Sequence, residues 1–195
     1  MNQQVQSVLL AGVGGQGSVL AGVIVAQAAM RAGYQVKTNE VHGMAQRGGS
    51  VITQIRFGRK VFSPLMPDGT ACAIGAFEMI EALRHAHFLA PDGLAVVSTQ
   101  KIIPVSVSSG GMAYPADAAA RLRRAFARLV LLDADEIAGG LGNRRAANIV
   151  ILGALSRGLD LPEAAWRAAI EASVKPAYRA VNLQAFAAGR AADSK

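Results

Sequence analysis

Along the chain, short apolar runs alternate with longer stretches in which apolar residues recur every three or four positions, and glycines or prolines fall at the joins. Residues 6–10 read as a buried strand, and 18–31 as a helix that Gly33 stops. Residues 35–39 then form a second strand, so the order strand, turn, helix, strand predicts a crossover unit and a parallel sheet. Residues 50–57 alternate between two faces, and a turn at Gly58-Arg59 into 60–62 predicts a hairpin beyond the parallel region. A strand over 70–74 leads through Gly75-Ala76 into a helix near 77–85, which Pro91-Asp92-Gly93 separates from a strand at 94–98.

The alternation continues with a helix over 116–127, a strand at 129–132 and a helix following Asp133. Asn143 is placed to cap a long helix ending at Arg157, Pro162 sits in the first turn of another, and the tail 187–195 is expected to fray. The fold class that follows is α/β: a single open, mainly parallel sheet flanked by helices, Rossmann-like, with a short antiparallel hairpin extension and one domain over residues 1–195.

Composition narrows what such a fold can do. The apolar runs are strand-sized and the first residues lack a secretory signal pattern, so the expectation is a cytoplasmic protein with no membrane partner. A single cysteine, Cys72, cannot by itself form an internal disulfide, an iron-sulfur cluster or a cysteine-based zinc site, which places any redox metal on a partner. The net charge of +7 is dispersed over Arg56–Lys60, residues 121–128, Arg144-Arg145 and the C-terminal third, with few aromatics among them. That pattern argues for solvated helix faces or an acidic protein partner, and against nucleic acid. His85 and His87 are two apart, so they do not share a helical face, and no metal site is expected in this chain.

Two stretches carry candidate chemistry. In the first, an apolar strand runs into Gly12-Val13-Gly14-Gly15-Gln16-Gly17-Ser18 and then into a helix. Gly12 is expected to take the positive φ of a sharp turn. Gly14 and Gly15 would leave the backbone uncovered, and the N–H groups from Gln16 onward would open a helix whose dipole favours an anion. The same glycines also suit a turn that only packs a helix on a strand.

The second stretch, from Lys37 to Ser50, leaves the carboxyl end of its strand, the edge where open parallel sheets place ligands. Within it His42, Gln46 and Arg47 offer a proton donor or acceptor, an amide and a permanent cation, while Gly48 and Gly49 permit close backbone approach. His42 and Arg47 are the candidates for assisting a reaction. Glu40 lies about where a dinucleotide fold keeps its ribose-binding acid. Glu78 and Glu81 open a helix, where capping is the default role of a carboxylate.

Taken together with Phe62-Ser63-Pro64, Ala76-Phe77-Glu78, Gly142-Asn143, Asn148, Leu152-Gly153 and residues 181–186, the strings Gly12–Gly17 and Glu40–Gly49 resemble the gamma-type subunit of 2-oxoacid:acceptor (ferredoxin) oxidoreductases, in the variant found as the indolepyruvate:ferredoxin oxidoreductase beta subunit. The resemblance spans essentially the whole chain. It implies a share in a thiamine-diphosphate-dependent oxidative decarboxylation of a 2-oxoacid of the aryl-pyruvate type, with coenzyme A as co-substrate. The thiamine diphosphate, Mg and 4Fe–4S clusters would lie on a large partner subunit, and ferredoxin or another acceptor would take the electrons. The small chain would help close the active centre and be inactive alone. The residues themselves leave a second class open, a free-standing NAD(P)- or FAD-binding oxidoreductase, and a third, a non-catalytic binding module for an acidic partner or nucleic acid.

Overall fold

The computed structural model of the protein describes residues 5–42, 49–102 and 114–192. Among the described residues six strands form one sheet: β1 (Gln6–Val13), β2 (Gln35–His42), β3 (Ser50–Gly58), β4 (Ala71–Ala76), β5 (Leu89–Ser98) and β6 (Leu129–Leu132), in the order β2-β3-β1-β4-β5-β6. Pairings β1–β4, β4–β5 and β5–β6 are parallel, whereas β3 runs antiparallel to both of its neighbours. The mainly parallel α/β architecture with an antiparallel extension is therefore present.

Its extension is built differently from the expected hairpin. Residues 60–62 form no strand. Both edges of β3 are already occupied by β1 and β2, so no ladder is left for a further segment. Side chains hold that segment instead: Arg56 Nη1 donates to the carbonyls of Ser63 and Leu65 at 3.0 and 2.9 Å, and the Val61 N–H donates to Gln35 Oε1 at 3.3 Å. The expected crossover also changes partners. Strand β2 is parallel to β1 in direction, yet β3 lies between them and β2 becomes an exposed edge.

Helices cover both faces. Side chains of alternate parity divide the strands between two cores, as the pleat requires. Val8, Leu10, Ile55, Phe57 and Val96 join the core beneath α1 (Ser18–Arg31), and Leu9, Ile74, Ala95 and Val97 join the core beneath α2 (Met79–Arg84) and α3 (Ala118–Ala125). Helix α1 has the bounds that its periodicity predicts, and Gly33 at φ +88° ends it. Helix α4 (Ala134–Gly140) is capped by Asp133 Oδ1, which accepts from Glu136 N at 2.8 Å.

Asn143 caps a 3₁₀ turn, Arg144–Ala146, before α5 (Ala147–Leu155) begins. Pro162 precedes α6 (Glu163–Ser173), and α7 (Arg179–Ala191) extends through part of the tail expected to fray. Pro91-Asp92-Gly93 does not end before β5 but lies within it as an irregularity: Ala71 faces Leu89, while Ala73 already faces Leu94.

Helices α5 and α7 approach each other closely. A Cβ on Gly153 would stand 2.1 Å from the Phe186 carbonyl oxygen, and one on Gly189 would stand 2.0 Å from that of Val150. Two glycines thus let the backbones touch, with Trp166 and Phe186 stacked beside them at 5.8 Å. Among the described residues no helix is long and apolar enough to cross a membrane.

Candidate functional site

From β1 the chain first builds toward β2 and β3 on one side and then toward β4, β5 and β6 on the other. Between β1 and β4 the winding reverses, and open α/β sheets form a crevice at the carboxyl ends of strands flanking such a point. A cleft of about 570 Å³ occupies this place. The carboxyl ends of four strands and the segments after them line it, with Gly14, Gly15, Gln16 and Gly17 after β1, Phe77 after β4, Ser98 at the end of β5, Gln100 beyond it and Asp135 after β6. Arg144, Arg145 and Asn148 close its far side.

The glycine turn works otherwise than its spacing suggests. Gly12 does not take a positive φ but stays in β1, where its hydrogen leaves room for Gln16 and Phe77, each 2.9 Å from a would-be Cβ. The left-handed residues are Gly15, at φ +105°, and Gly17, at φ +78°, which is the residue preceding α1. A side chain on Gly15 would meet nothing within 4 Å, so the cleft reaches the backbone there. On Gly17 it would collide with the Asn148 amide at 2.7 Å, and Asn148 Nδ2 donates to the Gly17 carbonyl at 3.1 Å. Ser18 is buried as the first residue of α1.

Gln16 turns inward. Its Oε1 accepts from Val13 N at 2.7 Å, and its Nε2 donates to the Phe77 carbonyl at 2.7 Å and to Gln100 Oε1 at 2.6 Å. One amide therefore joins the ends of β1, β4 and β5, which commits this side chain to holding the rim.

Among the described residues the second stretch meets the first where Ser50 pairs with Val13 at the end of the β1–β3 ladder and Gly14 N donates to the Gly49 carbonyl at 2.9 Å. Gln46, Arg47 and Gly48 lie outside the described residues. Glu40 and His42 lie on edge strand β2, with His42 Nε2 3.4 Å from Glu40 Oε2 and both side chains substantially exposed. Glu40 pairs with Thr53, which pairs in turn with Leu10. It is level with the middle of β1 and two strand spacings, roughly 10 Å, from it. A ribose-binding acid belongs at the end of the strand beside the turn, and here β3 occupies that place.

Sequence reasoning passed over the far wall. Arg144 and Arg145 read as part of a dispersed charge because only folding carries the 3₁₀ turn that bears them to the carboxyl rim of the sheet. Burial, together with the charge of Asp133, pushes the Asp135 carboxyl up, while Arg144 draws it back. A neighbouring hollow of about 550 Å³ shares Leu20, Arg145 and Asn148 with the cleft and continues to Lys175 and Tyr178. Three cations thus stand along one surface.

Helix α2 carries two buried carboxylates with different tasks. Glu78 caps the helix: Oε2 accepts from Ile80 N and Glu81 N at 2.6 and 3.1 Å, and Oε1 accepts from the Tyr114 hydroxyl at 2.6 Å. Burial and this bond to Glu78 push the tyrosine hydroxyl far up. Glu81 is no cap, and it reaches across to Ser50 and His85. Among the described residues no group of three or more His, Cys, Asp or Glu side chains is placed to hold a metal, and Cys72 donates its thiol to the Ser7 carbonyl.

Comparison with known proteins shows the family and the fold. The family model described as pyruvate ferredoxin/flavodoxin oxidoreductase matches residues 7–192. Indolepyruvate oxidoreductase subunit IorB of Thermococcus kodakarensis is 39% identical over 188 residues, covering 94% of this chain and 93% of the relative. Among solved structures, pyruvate oxidoreductase subunit PORC of Thermotoga maritima superposes with a TM-score of 0.72 at 22% identity, over 95% of each chain. The 2-oxoglutarate:ferredoxin oxidoreductase of Magnetococcus marinus, with 2-oxoglutarate, coenzyme A and succinyl-CoA bound, gives 0.71 at 20% identity, where all of this chain matches 34% of that longer one.

Proposed function

This chain belongs to the pyruvate ferredoxin/flavodoxin oxidoreductase family, and we propose that it serves as the cluster-free small subunit of a thiamine-diphosphate-dependent 2-oxoacid:ferredoxin oxidoreductase acting on an aryl-pyruvate such as indolepyruvate. Near-full-length similarity to an indolepyruvate oxidoreductase subunit supports the substrate class. A lone cysteine supports the division of labour, in which thiamine diphosphate, Mg and iron-sulfur clusters belong to a larger partner. There the thiamine supplies the carbanion chemistry of decarboxylation.

The contribution of this chain is to bind and orient coenzyme A or an anionic substrate group at the carboxyl rim. The observation that carries this reading is the cleft itself, with uncovered backbone at Gly15 on one side and Arg144 and Arg145 on the other. Lys175 extends the cationic surface toward the length that a cofactor with several phosphates needs. His42 and Arg47 join the reading from the sequence. Replacing Arg47 by Ala is expected to lower 2-oxoacid-dependent acceptor reduction by the assembly, and unchanged kinetics over 2-oxoacid and coenzyme A concentrations would reject that role.

The free-standing dinucleotide enzyme is less favoured, because Glu40 stands apart from the turn behind β3. Titration calorimetry of the chain with coenzyme A, NAD and FAD, alongside the native mass of its assembly, separates the two readings. Coenzyme A binding and co-purification with a larger thiamine-binding subunit are expected, whereas micromolar NAD or FAD binding by a lone chain would overturn the proposal.

A further inference from the structure

Glu81 is 4% exposed on a helix that Glu78 already caps, so helix-end electrostatics do not explain it. A buried carboxylate persists where partners compensate its lost hydration. Among the described residues Glu81 has these: the Ser50 hydroxyl donates to Oε2, Arg84 Nε lies 3.2 Å from Oε1, and His85 Nε2 lies 3.7 Å from Oε2. His85 Nε2 is also 3.5 Å from Ser50 Oγ, and its Nδ1 is buried with no hydrogen-bond partner among the described residues.

The residue so gripped is the first of β3. Its neighbour, Gly49, takes the Gly14 N–H at 2.9 Å. A continuous path therefore runs from α2 through Glu81, Ser50 and Gly49 to the glycine turn. Gly14 and Gly15 have no side chains of their own to brace that rim, and Gln16 braces it only on the β4 and β5 side.

We propose that Ser50, Glu81 and His85 are positioning residues for the anion site: they hold Gly49 against Gly14 and thereby set the backbone that the turn presents to coenzyme A. This rests on the reading of the cleft as a coenzyme A site. None of the three lines the cleft, so they act through Gly49 and Gly14.

The test is the coenzyme A dependence of 2-oxoacid-driven acceptor reduction by the assembled enzyme, with Ser50→Ala, Ser50→Thr, Glu81→Gln and Arg145→Ala compared. Ser50→Ala and Glu81→Gln are expected to raise KM for coenzyme A by roughly five-fold, the value of one hydrogen bond, with a smaller change in kcat. Ser50→Thr, which keeps the hydroxyl, restores KM. Should Glu81→Gln fail to assemble, Ser50→Ala decides, since it removes one oxygen atom only. If Arg145→Ala raises KM while Ser50→Ala lowers thermal stability alone, the positioning role is overturned and the coenzyme A site stands. If neither variant moves KM, the coenzyme A reading fails, and this inference fails with it.

Discussion

Gln16 Nε2 stands 2.6 Å from Gln100 Oε1, across a sequence separation of 84 residues, and ties the turn after β1 to the end of β5. Its other two bonds satisfy a backbone N–H at Val13 and a carbonyl at Phe77. Replacing Gln16 by Ala would leave these groups without that amide. The expected loss is about 2–3 kcal/mol of stability, measured by urea unfolding. Gln16→Glu keeps an acceptor for Val13 and loses both donated bonds, so it should also be destabilised.

Helices α5 and α7 should not tolerate one added methyl group at their contact. Gly153→Ala places a carbon 2.1 Å from the Phe186 carbonyl oxygen, and Gly189→Ala places one 2.0 Å from that of Val150. Overpacking of this kind costs about 1–3 kcal/mol or forces the helices apart. Calorimetric melting of each variant checks it, and an unchanged Tm would count against the close contact.

Acid should expose the Glu81 anchor. Burial pushes its carboxyl up, but hydrogen bonds from His85 and Ser50 and the Arg84 guanidinium outweigh burial and hold it below its ordinary value of 4.5. A carboxylate with a depressed folded pKa adds stability above its unfolded pKa and loses that contribution as pH falls through the folded one. The stability gap between the parent protein and Glu81→Gln is therefore expected to be full at neutral pH and to narrow below 4.5. Denaturant unfolding at several pH values tests this, and a gap that widened on acidification would contradict the assigned direction.

Salt should report on the cationic wall. With Arg144 and Arg145 both replaced by Ala, coenzyme A binding should weaken and its dependence on ionic strength should flatten, because exposed charges act through a screened field. Titration calorimetry at low and high salt measures both effects. An unchanged salt dependence would place the phosphates elsewhere.

Local elements were largely legible. The limits of α1 and β6 follow from apolar spacing and from neighbouring turn residues, and a helix does follow Asp133, whereas Asn143 caps a 3₁₀ turn and not the long helix its position suggests. Strand partners were not legible. Whether β1 accepts β2 or β3 depends on which ladder closes best across the sheet, and the pattern of 50–57 fits either neighbour equally well. Gly12 is ambiguous for a similar reason, since glycine serves a positive φ and a crowded contact alike, and the inward turn of Gln16 and the approach of Phe77, 65 positions away, show which applies.

By itself, then, the sequence determined an α/β chain with a glycine turn between its first strand and helix, one cysteine, and the motifs by which its family is known. Tertiary structure alone decided that β3 separates Glu40 from that turn, that Gln16 faces inward, that Arg144 and Arg145 reach the same cleft and that Ser50 meets Glu81 and His85. Periodicity and capping act over a few residues and are written in neighbouring letters. Contacts between distant segments are chosen by the packing of the whole sheet, which no local stretch encodes.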